Sequence, residues 1–247
     1  MSIGGIIQKL ADGRTDLVHD LVPSQLSATK VDPNGISLIQ WCAYYGDVSA
    51  IKHLLSHGAK LGDLGSNYDL NGAAFHGHWQ LCQFLLESGS DPNKTLSKTG
   101  ESPLHNVLCK SNRPVANMII QLLLAYGAHP RVQTKERAET GGFMRDAYTK
   151  GETPLHRAAA FGNEETIQLL IDAGADKQAT DMNGDTPLSW ASWHERPGSI
   201  LKLLTFGNHR IQDTHVQKMK SDHGSGWGSG TSILRMGTLH IDLKDEN

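Results

Sequence analysis

The segment Thr153-Pro154-Leu155-His156-Arg157-Ala158-Ala159 returns along the chain at a fixed interval. Thirty-three residues later stands Thr186-Pro187-Leu188-Ser189-Trp190-Ala191, and upstream lies Ser102-Pro103-Leu104-His105. A period of this size constrains the fold more than any composition does. It marks one supersecondary unit stacked on copies of itself.

Each copy reads as a short helix, a tight turn, a second helix and a loop closed by glycine. Thr caps the first helix and Pro occupies its first turn, where a missing N–H costs nothing. Small residues after the signature Leu let neighbouring units approach closely. The second helix carries apolar residues at helical spacing and ends at a glycine. In the fifth unit this is Glu164–Asp172, with Ile167, Leu169, Leu170 and Ile171, then Gly174-Ala175. In the sixth, Pro197 sits where the inter-helix turn belongs and Gly207 closes the unit. Weaker copies align behind Ile39, Leu70 and Leu104. From signature Leu or Ile to closing Gly is 19 residues in four units: Ile39–Gly58, Leu70–Gly89, Leu155–Gly174 and Leu188–Gly207. The fourth unit needs 23, Leu104–Gly127, so a bulge is expected near Lys110–Pro114. The first unit has Ile6, Leu10, Gly13, Leu17, Val18, Leu21 and Val22 but no signature. Terminal repeats expose one face to water and are expected to be atypical, so it reads as an N-terminal cap.

These residues resemble the ankyrin repeat, whose signature is T-P-L-H-x-A at a 33-residue period. The resemblance implies an all-α fold, an ankyrin-repeat solenoid of about six helix-turn-helix units over residues 1–209. The units fall at about 2–33, 34–66, 67–98, 99–149, 150–182 and 183–209, with a long loop at 131–150 in the fourth. Residues 210–247 form a C-terminal extension in which short strands are expected, since Leu239, Ile241 and Leu243 alternate after a Gly/Ser-rich stretch. The extension is expected either to cap the last repeat or to make a contact of its own.

The family's usual role is non-catalytic protein recognition through the concave helical face and the loop tips. In that family the two positions after the small pair point into the groove. Here they include Tyr44, Tyr45, Phe75, His76, Phe161, Trp193 and His194, and Tyr and Trp are favoured interface anchors. The insertion within 131–150 is polar apart from a few residues, chiefly Phe143, Met144 and Tyr148; a loop of that length is usually functional or disordered. Those ten residues are the expected partner-binding set. The resemblance also makes His105 and His156 structural, bonding backbone and turn groups between neighbours. Trp41 and Trp190 divide evenly between stacking and recognition.

Other chemistry finds little support in the sequence. The 247 residues are 38% hydrophobic with net charge −3, which gives no basic footprint for nucleic acid. No apolar run reaches about 18 residues, and the start lacks the pattern of a secretory or myristoylation signal, so a cytoplasmic protein with no membrane contact is expected. Three scattered cysteines, Cys42, Cys82 and Cys109, fit reduced thiols. His53 and His57, four apart, could chelate a metal, but no carboxylate or cysteine stands beside them, so no metal and no cofactor is expected. No catalytic motif is found, and the chain is expected not to be an enzyme. One alternative is a small-molecule or enzyme pocket formed by the insertion and the fourth unit near His105, Cys109 and Arg145. Another is a structural homo-oligomer joined through the extension, against an expected monomer.

Overall fold

The structure, a computed structural model, describes residues 3–109, 114–140 and 147–207. The chain divides into two compact units, Met1–Lys94 and Thr95–Asn247. The first holds α1 (Ile3–Ala11), α2 (Leu17–Leu21), α3 (Leu38–Tyr44), α4 (Val48–Ser56), α5 (Gly65–Tyr68), α6 (Leu70–His76) and α7 (Trp79–Glu87). A 3₁₀ turn at Leu61–Leu64 precedes α5. This extra turn and α5 were not expected from the repeat pattern. The second unit holds α8 (Pro103–Val107), α9 (Ala116–Ala125), β1 (Glu136–Thr140), β2 (Ala147–Lys150), α10 (Pro154–Phe161), α11 (Glu164–Asp172), α12 (Pro187–Trp193) and α13 (Gly198–Leu204).

Within each unit, first helices of the pairs pack on first helices and second helices on second helices. In the first unit α3 touches α1 and α6, while α4 touches α2 and α7; in the second, α10 joins α8 to α12 and α11 joins α9 to α13. The small residues predicted between units are buried: Ala43, Ala73, Ala74, Ala158, Ala159 and Ala191. The first pair packs around Ile6, Leu10 and Val18. Second helices end alike. The closing Gly58, Gly89, Gly127 and Gly174 all have φ between +86° and +103°. That left-handed turn lets the next N–H reach back to Leu54, Leu85, Leu123 and Leu170, so glycine is required there by backbone geometry.

The signature histidine works as a connector, and other side chains replace it where it is missing. Ser102 N–H donates to Nδ1 of His105 (3.2 Å), so Nε2 carries the proton and donates to the Glu152 carbonyl (3.1 Å). His156 does the same between Thr153 and the Asp185 carbonyl. At the equivalent position Gln40 accepts from Ser37 N–H and donates to the Leu64 carbonyl. Asn71 donates to the Lys94 carbonyl. The sixth repeat has Ser189, which bonds to its own cap Thr186.

The insertion is not the loop expected from its polarity. β1 and β2 pair antiparallel, Glu139 opposite Tyr148 and Thr140 opposite Ala147, with a bulge between Glu136 and Glu139. The Thr149 hydroxyl lies inside the bulge, within hydrogen-bond reach of the Lys135 and Ala138 carbonyls, and Arg137 adopts φ +55°. The fourth-unit bulge at 110–113, and the extension with its expected strands, lie outside the described residues. Among the described residues no helix is long and apolar enough to cross a membrane.

Candidate partner-binding surface

In the first unit the sequence places aromatic residues at the C-terminal ends of α3 and α6, beyond the small residues that pack the helices together. Packing consumes the small positions and leaves the rings outside. Tyr44 is 41% exposed and Tyr45 39% exposed. Four rings surround Tyr44: Tyr45 at 5.0 Å, His76 at 5.1 Å, Trp41 at 6.1 Å and Tyr68 at 6.5 Å, all steeply inclined to it. His76 extends the network to Phe75 at 5.2 Å and to His78, stacked at 5.7 Å. Edge-to-face contacts of this kind suit the ring quadrupole. The network is positioned by polar ties to backbone: Tyr45 Oη donates to the Ala11 carbonyl (2.6 Å), and His78 Nε2 meets the Tyr44 carbonyl (2.8 Å). Of the expected set, then, Tyr44, Tyr45, Phe75 and His76 come together, joined by Tyr68 and His78. Tyr68 was missed because it lies on the unexpected α5.

The second unit keeps its aromatic residues closer in. Phe161 and His194 meet at 4.9 Å, and both are half-buried, as is Trp193. Burial, then the charges of Arg196 and Lys150, push His194 down to about 4, so it is neutral at pH 7. The Trp193 indole N–H is buried without a hydrogen-bond partner. Trp190 proves to be a packing residue: it is 4% exposed, stands edge-on to His156 at 5.2 Å and donates to Asp181 Oδ2 (3.1 Å). Trp41 makes the matching bond to Asp32 Oδ2 (3.3 Å). Tyr148 on β2 is 58% exposed, while Phe143, Met144 and Arg145 lie outside the described residues.

The insertion is held at its root by a buried ion cluster. Arg157 has no solvent exposure, and its Nη2 lies 2.7 Å from Glu101 Oε1 and 2.6 Å from Glu152 Oε1. Each carboxylate also holds the hairpin: Thr140 donates to Glu101 (3.1 Å), and Thr134 and the Lys150 N–H donate to Glu152 Oε2 (2.7 Å each). Lys135 N–H donates to the Thr99 carbonyl beside Gly100, where a Cβ would lie 2.8 Å from that nitrogen. Burial opposes the Glu152 charge, but Arg157 and these donors overcome it and lower its pKa to about 2. Burial, reinforced by Arg157, pushes His105 down to about 3. Glu101, Glu152 and Arg157 were not among the residues expected from the sequence. The available signal was Gly-Glu-Ser-Pro-Leu-His at 100–105 repeated as Gly-Glu-Thr-Pro-Leu-His at 151–156.

Two residues of the pocket alternative, His105 and Cys109, are buried in the second unit. His105 has both nitrogens engaged, and the Cys109 thiol lies 3.4 Å from the His105 carbonyl. Burial raises Cys42 and Cys82 to about 12, which keeps both as neutral thiols at pH 7. His53 Nε2 meets the Val22 carbonyl and His57 Nδ1 the His53 carbonyl. Among the described residues no group of three metal-ligating side chains is arranged to hold an ion.

Comparison with known proteins agrees with this architecture. The model for ankyrin repeats (3 copies) matches residues 7–95, 70–181 and 116–215. A putative palmitoyltransferase ZDHHC13 of Danio rerio is 25% identical over 229 residues, covering 84% of this chain and 35% of the relative. The target of rapamycin complex 2 subunit AVO2 of Saccharomyces cerevisiae is 29% identical over 177 residues, covering 68% of this chain and 37% of that protein. The chain thus spans about a third of the length of these relatives. Among solved structures, the ankyrin repeat domain of Bcl-3 aligns with a TM-score of 0.56 and 23% identity, covering 79% of this chain and 78% of that one, a likeness of fold.

Proposed function

Since the chain belongs to the ankyrin-repeat family, whose members are generally protein-interaction scaffolds, we propose that it is a non-catalytic adaptor that binds a protein partner through its first-helix faces and loop tips. The carrying observation is Tyr44, exposed at the centre of four surrounding rings. A rigid aromatic surface loses little conformational entropy when a partner settles on it. Phe161, Trp193, His194 and Tyr148, with Phe143 and Met144, make up the rest of the proposed set. The palmitoyltransferase relatives carry no activity over, because most of their length has no counterpart here. A cytoplasmic monomer is part of the same proposal.

The test is selection from a displayed peptide library on the full chain, followed by affinity measurement on Tyr44→Ala and Phe161→Ala. The expected result is peptides whose affinity drops about tenfold or more with one or the other substitution, a loss near 1.4 kcal/mol, while the melting temperature holds. Peptides that bind both variants as well as the parent would place recognition elsewhere. A melting temperature lowered by many degrees would make these rings packing residues.

A further inference from the structure

The first unit carries an electron-rich surface in an acidic setting. Its network contains seven rings: Trp41, Tyr44, Tyr45, Tyr68, Phe75, His76 and His78. Residues 1–94 contain six Lys and Arg against nine Asp and Glu, so the whole chain's net charge of −3 resides there. Two of the six cations are already tied up in ion pairs, Arg14 with Asp16 and Lys94 with Asp69. A third, Lys52, lies over Phe84 at 5.2 Å, outside the network. Among the described residues, no lysine or arginine of the chain sits over Trp41, Tyr44, Tyr45 or Tyr68.

Acidic residues flank these rings along the chain. Asp47 follows Tyr45 by two residues, and Asp12 follows Ala11, whose carbonyl holds the Tyr45 hydroxyl; Asp69, next to Tyr68, is the one already paired with Lys94. Asp32 accepts the Trp41 indole N–H and is oriented by the backbone N–H groups of Asn34 and Ile36. A tyrosine or tryptophan face attracts a cation within about 6 Å, and Arg is the commoner guest because its planar guanidinium also stacks. Negative charge around such faces raises the local concentration of cations.

We propose that the aromatic surface around Tyr44 receives arginine side chains of an extended, cationic segment of a partner protein. This rests on the adaptor reading above and adds the chemistry of the partner. Tyr44 is the principal acceptor and Trp41, Tyr45 and Tyr68 frame it. The charge complementarity is between this acidic unit and a basic peptide, with the rings selecting arginine from among polar side chains.

The test uses the full chain and fluorescein-labelled peptides in which arginine alternates with glycine, against the same peptides with glutamine or lysine in place of arginine. Anisotropy at physiological salt is expected to show arginine binding about tenfold tighter than glutamine, with lysine between them. Tyr44→Phe keeps the ring face and should hold affinity within about twofold, whereas Tyr44→Leu should lose most of it. Unchanged melting temperatures in both variants separate lost recognition from lost folding. Equal binding of the glutamine peptide overturns the proposal. So does full affinity in Tyr44→Leu, which would leave only a diffuse field or plain apolar contact. Library-selected peptides that depend on Tyr44 yet carry no arginine and resist competition by the arginine peptide would retain the adaptor reading and reject this one.

Discussion

The two units solve one packing problem with different materials. In residues 1–94 the inter-repeat bonds come from the amides of Gln40 and Asn71, and the ends of the first helices carry exposed rings. In residues 95–207 they come from buried imidazoles, the rings at the equivalent helix ends, Phe161, Trp193 and His194, are half-buried, and Arg157 is enclosed between Glu101 and Glu152. An amide and an imidazole share the needed geometry, one acceptor facing the local cap and one N–H facing the next repeat. They differ in titration, since an amide has no charged form to exclude. The stability of the second unit is therefore tied to pH and to charge balance.

The sharpest way to break this contrast is Arg157→Ala. It strands two desolvated carboxylates, and removing one partner of a buried ion pair costs about 3–5 kcal/mol. Hydrogen exchange should rise across residues 95–207 and hardly change in 1–94. Equal acceleration in both would show that the cluster does not belong to one unit's energetics.

Lowering pH from 7 to 4 should act next most strongly. His105 ionises near 6.5 when unfolded and near 3 when folded, so the unfolded chain binds the extra proton throughout that window. Its stabilising contribution is complete above 6.5 and is lost as pH falls towards 3, at about 1 kcal/mol per pH unit. His156, lowered mainly by burial, acts in the same direction. Glu152 adds to the loss only below about 4.5, where the unfolded carboxyl begins to protonate. Chemical denaturation followed at several pH values checks this. A slope that begins only below 4.5 would mean that the histidines contribute nothing.

Smaller effects refine the amide–imidazole equivalence. Gln40→Ala leaves the buried ends of its two hydrogen bonds unmatched and should cost about 1–3 kcal/mol. Gln40→His should recover most of that and give the first unit a new pH dependence. A His variant as unstable as Ala would show that the two groups are not interchangeable there. The smallest effect belongs to Tyr44→Ala. A side chain exposed to this degree should change stability by only about 0.5 kcal/mol, measured by thermal unfolding.

Most of the fold was legible because it is written locally. Thr153-Pro154-Leu155, Gly174-Ala175 and the apolar spacing of Ile167 and Leu170 each act within a turn or two of chain, so they translate with the repeat. The candidate surface was legible in part: the repeat phase singles out Tyr44, Tyr45, Phe75 and His76, and their rings form one connected network. Tyr68 was not, because α5 interrupts the repeat. The pairing of β1 with β2 was not legible because their polar residues give strands no alternation to show; what holds it is Thr134, Thr140 and Lys150 bonding to carboxylates fixed elsewhere.

The amino-acid order alone settled the family, the phase of the repeats and the positions left over for aromatic residues, because caps, glycine turns and helical periodicity are short-range. Only the assembled chain decided that Glu101, Glu152 and Arg157 would share one dry place, and that the rings around Tyr44 would meet. A carboxylate in water and one locked against a guanidinium are the same letter. Desolvation, which separates them, depends on neighbours brought from distant parts of the sequence.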